Sequence, residues 1–156
     1  MKYAGLVLLA MAIGIFLHDA TSRLSKRRED YESLCRLLEC MRREIEEFSR
    51  SASEILSAFS QKDENVAELA AYLLTRKRGE RREGLLLIDA DDAEAVYLYF
   101  DKLGTSYKNE ELLRLNTLIS AVQKKRDEAI AASGKKIKAI YLLYVTALIG
   151  ALIFIM

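Results

Sequence analysis

The chain has 156 residues, with 24 lysines and arginines against 23 acidic residues and a formal net charge of +1. This balance excludes the strongly basic surface that nucleic-acid binding requires, so we predict no nucleic-acid partner. All of the charged side chains except Lys2 lie between residues 18 and 138, a length sufficient for one modest core and too short for two. The absence of proline and a glycine count of only seven favour long helices.

The first apolar segment, residues 3–17, reads YAGLVLLAMAIGIFL and contains no charged side chain. A secretory signal peptide would carry its positive charges before such a segment and a small-residue cleavage site after it. Here only Lys2 precedes the segment, whereas the basic cluster Arg23, Lys26, Arg27 and Arg28 follows it. We therefore favour an uncleaved transmembrane helix at 3–17 over a signal peptide, with its basic flank in the cytoplasm.

The second apolar segment, residues 139–156, reads AIYLLYVTALIGALIFIM and is also uncharged. As a helix it would be about 27 Å long, close to the roughly 30 Å thickness of a hydrocarbon core. Six lysines and arginines lie between positions 124 and 138, on the near side of this segment. Both basic flanks thus place residues 18–138 in the cytoplasm. The sequence predicts a two-pass protein of the cell membrane.

Two long helices are predicted next to these spans. Apolar residues recur every three or four positions from Tyr31 through Ile45 to Phe48, and again from Leu112 to Val122. The second stripe continues to Ala129 after an interruption at Arg126. Such spacing lays one apolar stripe along a helix. Residues 19–48 and 109–138 have equal lengths of 30 residues, about 45 Å as helices. We expect them to form an antiparallel pair, and residues 18–138 to form an all-α helical bundle between the two terminal spans.

Shorter helices are predicted between the two long ones from their capping residues. Ser51 and Glu54 form a capping-box pattern before residues 55–59. Asp63 could cap a further helix that Gly79 would end. A cluster of acidic residues, Asp89, Asp91, Asp92 and Glu94, is read as a helix N-terminus rather than a cation site, and that helix is closed by Leu103-Gly104. Residues 85–88, all apolar, are read as a buried helical or extended linker rather than a strand.

The sequence lacks recognisable catalytic machinery. His18 is the only histidine and lies at a predicted membrane boundary, with no identifiable base or nucleophile beside it. Cys35 and Cys40 have no second Cys/His pair to complete a zinc site, so we expect free thiols. No phosphate-binding glycine motif occurs. The predictions are therefore no enzymatic activity, no metal and no cofactor.

Two features are candidate partner-binding sites. The first is the basic run Arg76, Lys77, Arg78, Arg81 and Arg82, read either as a solvated helix end or as a surface that docks to an acidic protein. The second is the apolar run 96–100, which includes Tyr97 and Tyr99 and is too wide for one buried helical face. Packing in the core and contact with a partner or a second copy of the chain are both open for this run.

The order of segments resembles that of the stage III sporulation protein AB family. The shared features are an N-terminal span, a basic helix with Leu37-Leu38-Glu39 and Glu44-Ile45, a turn Leu103-Gly104-Thr105-Ser106, a long charged helix, and a closing span after Lys135-Lys136-Ile137-Lys138. The resemblance covers essentially the whole chain, although the motifs are loose. Two positions depart from the family pattern at the turn, where Tyr107 replaces aspartate and Glu111 replaces glutamine.

The resemblance implies a non-catalytic platform or adaptor of the sporulation channel complex in the mother-cell membrane around the forespore. It also implies a cytoplasmic domain similar to the helical F-type platform proteins of type II secretion and pilus machines. The expected partners are the ATPase of that complex, stage III sporulation protein AA, other membrane proteins of the channel, and membrane lipid. Self-association is a further expectation. The alternative is a generic membrane-tethered helical scaffold, or an F-type platform component of another secretion or pilus system.

Overall fold

The computed structural model describes residues 2–48, 51–61 and 64–155, with the side chains of this part except those of 2–10, 13, 48, 65, 147–148 and 151–155. The described residues form five α-helices: α1 (Lys2–Arg43), α2 (Ala52–Ser60), α3 (Glu64–Thr75), α4 (Ala90–Lys102) and α5 (Lys108–Ile155). A π-helical turn, Glu44–Phe48, continues α1. The described residues contain no strand. The predicted all-α class is confirmed.

Helices α1 and α5 form the antiparallel pair that the sequence predicts. They have 42 and 48 residues, corresponding to about 63 and 72 Å of helix. Lys108 Nζ, near the start of α5, donates to Glu46 O at 2.7 Å, just after the end of α1. Gln123 Nε2, further along α5, donates to Glu39 Oε1 at 2.8 Å, earlier in α1. The contacts therefore run in opposite directions along the two helices.

The middle of α1 is the centre of the core. The predicted stripe is buried at Tyr31, Leu34, Leu38, Met41 and Ile45, while the side chain of Phe48 lies outside the described part. Residues 30–41 bury more than one stripe, because Ser33, Cys35 and Leu37 are also nearly inaccessible. Helix α5 contributes Leu115, Leu118, Ile119 and Val122 to the same core. A helix buried on more than one face must have neighbours on several sides, and α2, α3, α4 and α5 supply them.

The short helices begin and end largely where the capping residues predict. Ser51 caps α2, and the reciprocal bond between the Ser51 backbone N–H and the Glu54 side chain completes the capping box. The proposed cap of α3, Asp63, lies outside the described residues. Helix α3 ends at Thr75, earlier than predicted, and Gly79 occupies a later turn with φ +86°. Helix α4 ends at the predicted Leu103-Gly104, where Gly104 has φ +77°.

Residues 85–88 form an irregular linker without a partner strand in the described structure. Leu85, Leu86 and Ile88 are half-buried, while Leu87 is 42 % exposed. The segment lies between the basic run and α4, against the side of α1. The sequence left open whether this segment is helical or an extended linker. In the structure it is a linker with a bent backbone and no helix.

The terminal parts of α1 and α5 extend beyond the packed body. Ile15, Phe16, Leu142 and Leu143 are each about 70 % exposed, with individual values between 69 and 73 %. Within the part of the chain that the structure describes, no helix has a stretch that is both long and apolar enough to cross a membrane. The predicted spans 3–17 and 139–156 fall partly on side chains outside that part.

Candidate functional site

The basic run 76–82 forms a loop that folds back against α4. Arg76 is its most buried member, because its side chain is only 4 % exposed and its Nη1 lies 2.8 Å from Asp101 Oδ1. The same guanidinium donates to Tyr97 O at 3.3 Å and lies 5.3 Å from the centre of the Tyr97 ring. The guanidinium is therefore stabilised both by the aromatic ring and by the carboxylate. Arg76 is therefore part of the bundle rather than of its surface.

Arg81 reaches the same carboxylate from the other side of the loop. Its Nη2 lies 2.8 Å from Asp101 Oδ2, and its Nε lies 2.8 Å from Glu94 Oε2. Gly79 N also donates to Asp101, at 3.3 Å. Burial alone would raise the pKa of Asp101, but the hydrogen bonds from Arg81, Gly79 N and Arg76 outweigh it and hold that pKa below its ordinary value. Asp101 thus stays ionised and fastens the loop to α4.

The other three cations of the run point to solvent. Lys77 and Arg78 are exposed, and their side chains form no hydrogen bond or ion pair with any residue that the structure describes. Arg82 pairs with Glu68 at 2.9 Å, but both side chains are more than half exposed, so water weakens the pair. We name Lys77, Arg78 and Arg82 the exposed cation surface. Any electrostatic docking by the basic run rests on these three side chains.

Tyr97 and Tyr99 lie inside the bundle, with 6 and 7 % exposure. Tyr97 donates its hydroxyl to Arg82 O at 2.7 Å, and burial raises its pKa. Burial, assisted by the charge of Glu111, also raises the pKa of Tyr99, whose hydroxyl has no hydrogen-bond partner among the described residues. The structure therefore has Tyr97 and Tyr99 packed in the core, which is the first of the two interpretations left open for run 96–100. The exposed side chain of the run is Leu98, at 46 %.

The turn after α4 has a defined contact. The backbone N–H of Gly104 donates to the side chain of Glu111, in the first turns of α5. An acceptor at this position satisfies a backbone donor in the turn, as a glutamine carbonyl could also do. Tyr107 is 88 % exposed and lies on the surface.

A second polar cluster, not found from the sequence, joins α1 to the linker and the start of α4. Arg27 Nη2 lies 2.7 Å from Asp89 Oδ1, and Tyr31 donates to Asp92 Oδ2 at 2.6 Å. Asp30 Oδ2 accepts the Leu87 backbone N–H at 2.7 Å. We call these side chains, Arg27, Asp30, Tyr31, Asp89 and Asp92, the polar junction.

Burial shifts the pKa values of two members of the polar junction. Asp30 is 1 % exposed, and burial raises its pKa despite the hydrogen bond from Leu87. Burial also raises the pKa of Tyr31 to about 12. Asp89 caps α4 in position, but its side chain binds Arg27 instead of a helix N–H. The linker, which has no regular secondary structure, is therefore held to α1 by the side-chain contacts of the polar junction.

Two open clefts flank the basic run. The larger, about 1050 Å³, lies between the linker, α4 and the parts of α1 and α5 that lead to the chain ends; we call it the anchor-side cleft. The smaller, about 570 Å³, lies at the opposite end of the bundle, where Ile45, Leu56, Leu74 and Leu103 line it; we call it the distal groove. Arg78 lines the distal groove, whereas Arg82 lines the anchor-side cleft. The exposed cation surface thus connects the two.

The described residues contain no group of three or more histidine, cysteine, aspartate or glutamate side chains arranged to hold a metal ion. Cys35 is buried and Cys40 is half-exposed, and neither forms a disulfide. Burial raises the pKa of the Cys35 thiol. No family model matches the chain, and no curated protein or solved structure is significantly similar to it.

Proposed function

We propose that this chain is a non-catalytic adaptor that is tethered to a membrane by both ends and recruits another protein to its helical body. The observation that carries the proposal is the exposure of apolar side chains on α1 and α5 beyond a packed, charged body. Ile15, Phe16, Leu142 and Leu143 are covered by no other part of the described chain. Apolar surface of this kind requires a lipid or protein environment. Two antiparallel helices would return the chain to the membrane that it left.

The orientation follows from the basic residues beside each apolar end. Arg23 and Lys26 follow the first, and Lys135, Lys136 and Lys138 precede the second. Under the positive-inside rule these flanks stay in the cytoplasm. The proposal therefore has residues 3–17 and 139–156 as the two spans and residues 18–138 as the cytoplasmic adaptor domain.

The exposed cation surface is the proposed docking site. Arg76 and Arg81 are occupied by Asp101 and Glu94, so their charges are compensated inside the bundle. Lys77 and Arg78 carry uncompensated charge beside the apolar distal groove. An apolar groove with a cationic rim is complementary to an amphipathic, acidic surface of a partner.

The specific form of the proposal is a platform of the sporulation channel complex that docks the ATPase stage III sporulation protein AA. It is supported by the order of spans and helices and by the motifs around Leu37-Leu38-Glu39 and Lys135-Lys136. Lys77 and Arg78, which are exposed and have no acidic partner among the described residues, could bind an acidic surface of a cytoplasmic ATPase. The complex would sit in the mother-cell membrane around the forespore, with other membrane proteins of the channel as neighbours.

The test is co-purification of the full chain with the ATPase after co-expression. We expect the double variant Lys77→Glu/Arg78→Glu to reduce the apparent affinity by roughly tenfold, because reversing charges at an interface rim slows association. The matched control is Arg43→Glu/Lys124→Glu, which makes the same change in net charge at exposed positions of α1 and α5. Helical circular dichroism should be unchanged in both. Equal recovery from both variants would reject the docking surface.

A second experiment separates the sporulation adaptor from a generic scaffold. Deleting the gene in a spore-forming host should block spore development at the stage when the channel is active. Normal spores would favour the alternative, a scaffold or platform component of another secretion or pilus system. Cytoplasmic and periplasmic reporters fused after residue 60 would test the orientation, and an external location would overturn it.

A further inference from the structure

The anchor-side cleft opens toward the chain ends that the proposed function places in the bilayer. Ala20 and Leu24 of α1 and Ile140 of α5 line its open end. Ala20 lies three residues after Leu17, and Ile140 is the second residue of the other apolar segment. At about 1.5 Å per residue, this end of the cleft is within about 5 Å of both apolar segments. The cleft is therefore accessible from the membrane surface.

The walls of the cleft are apolar, and its volume suits a ligand of considerable size. Leu85, Leu86 and Ile88 line it with half-buried side chains, and Leu87 lines it with 42 % exposure. The volume of about 1050 Å³ is at the upper end of typical ligand pockets. Four consecutive apolar residues in an irregular linker would more usually be covered completely. They offer a surface for a hydrocarbon chain.

Cationic side chains lie at the membrane-facing rim. Arg23 and Lys136 line the cleft on the parts of α1 and α5 that lead to the apolar segments, and both are exposed. Arg23 pairs with Asp19 at 3.1 Å, but exposures of 76 and 61 % make this pair weak. The side chain of Lys136 forms no hydrogen bond or ion pair with any described residue. Both charges are therefore available to an anion at the depth of lipid phosphates.

The remaining charges of the cleft are largely paired. Arg27 and Arg81 hold Asp89 and Glu94, and Arg82 holds Glu68. Over all lining side chains, five are cationic and three, including Glu83 and Asp91, are anionic. The Nε–H of Arg27 is buried and has no acceptor among the described residues.

We infer that the anchor-side cleft binds one anionic phospholipid of the bilayer, with its phosphate between Arg23 and Lys136 and an acyl chain along residues 85–88. The inference rests on the proposed membrane tether and adds to it a defined lipid site. The lipid would fill the apolar cleft that the protein leaves open. It would also fix the linker, and through it the polar junction, at a constant depth below the membrane.

The test uses the full chain in a non-ionic detergent with added phosphatidylglycerol or phosphatidylcholine, followed by native mass spectrometry. We expect one phosphatidylglycerol retained per chain and little phosphatidylcholine. Arg23→Glu/Lys136→Glu should lower the retained phosphatidylglycerol by about tenfold or more. The matched control is Lys26→Glu/Lys135→Glu, which makes the same change in net charge at neighbouring positions of α1 and α5 that do not line the cleft. This variant should retain the lipid.

Three outcomes would overturn the lipid site: equal retention of both lipids, equal loss in the two variants, or displacement by soluble glycerol phosphate at the lipid's own concentration. The last would show recognition of phosphate alone. Failure of the membrane tether is distinguished separately, by flotation of the full chain with vesicles of pure phosphatidylcholine. A chain that floats but shows no preference for phosphatidylglycerol keeps the tether and loses the site, whereas a chain that fails to float refutes both.

Discussion

Asp101 is the residue whose replacement best tests how the basic loop is held. Its carboxylate contacts Arg76, Arg81 and the Gly79 N–H, and its side chain is 16 % exposed. Asp101→Asn keeps the size and one acceptor but removes the charge. Arg76, whose side chain is 4 % exposed, cannot lose its proton and would remain charged without a carboxylate partner.

The cost of Asp101→Asn follows from where this network lies. Breaking a fully buried ion pair costs about 3–5 kcal/mol, and breaking an exposed one about 0–1 kcal/mol. The Asp101 network lies between these limits, because Arg76 is buried while Arg81 is 27 % exposed. We expect a loss of about 2 kcal/mol. For a chain of 156 residues this corresponds to a fall in Tm of about 4–8 °C.

The assay is thermal unfolding of the full chain in a mild detergent, followed by circular dichroism at 222 nm. Asp91→Asn is the matched control, because Asp91 is an exposed aspartate on the same helix. Its replacement should change the free energy of unfolding by no more than about 0.5 kcal/mol. If Asp101→Asn and Asp91→Asn unfold at the same temperature, the loop is not held by this carboxylate and the assignment of Arg76 and Arg81 as structural is wrong.

Three further predictions concern buried groups. Ile45→Asp should destabilise the bundle by about 4 kcal/mol, because Ile45 is 8 % exposed and an unpaired carboxylate would enter the core; urea unfolding measures this, and a loss below 1 kcal/mol would contradict it. Cys40 in a Cys35→Ser chain should react with a maleimide in the native protein, whereas Cys35 in a Cys40→Ser chain should react only after unfolding; equal rates would contradict the burial of Cys35. The pKa of Asp30 is raised on folding, so its contribution to stability is largest at low pH and decreases as pH rises from about 3.8 through the folded pKa. Asp30→Asn should therefore flatten that part of the plot of unfolding free energy against pH. An unchanged slope would refute the assignment.

The helices could be predicted from the sequence because their signals are local. Tyr31, Leu34, Leu38, Met41 and Ile45 follow the helical period, and all five are buried. The capping box at Ser51 and the glycine after Leu103 mark their helix ends directly. Each of these patterns spans only a few residues, and the physical preference that it expresses does not depend on the rest of the fold.

The division of the basic run could not be predicted, because it depends on a distant residue. Arg76, Lys77, Arg78 and Arg81 have similar local surroundings, yet only Arg76 and Arg81 face Asp101. Asp101 is 25 positions after Arg76 and 20 after Arg81, and no short-range pattern indicates which side of the loop meets it. The loop that follows the earlier end of α3 begins with Arg76, whose side chain contacts Tyr97 of α4.

The polar junction was missed for a related reason, although one signal was present. Asp30 is four positions before Leu34 and therefore lies on the same side of the helix as the predicted apolar stripe. An acidic residue on an apolar face indicates a specific buried contact, since an unpaired carboxylate would be unfavourable there. The identity of its partner, the Leu87 N–H, required the position of the linker, which no periodicity specifies.

The two polar networks meet in α4, and this determines how the exposed cation surface is positioned. Asp101, near the end of α4, fastens the loop that carries Lys77 and Arg78. Asp92, near its start, binds Tyr31 of α1, and α1 continues toward the proposed membrane span. Each of these contacts is a hydrogen bond or ion pair with a defined geometry. Together they limit the movement of the loop relative to α1. The exposed cation surface therefore has a defined position relative to α1, although the loop that carries it has no regular secondary structure.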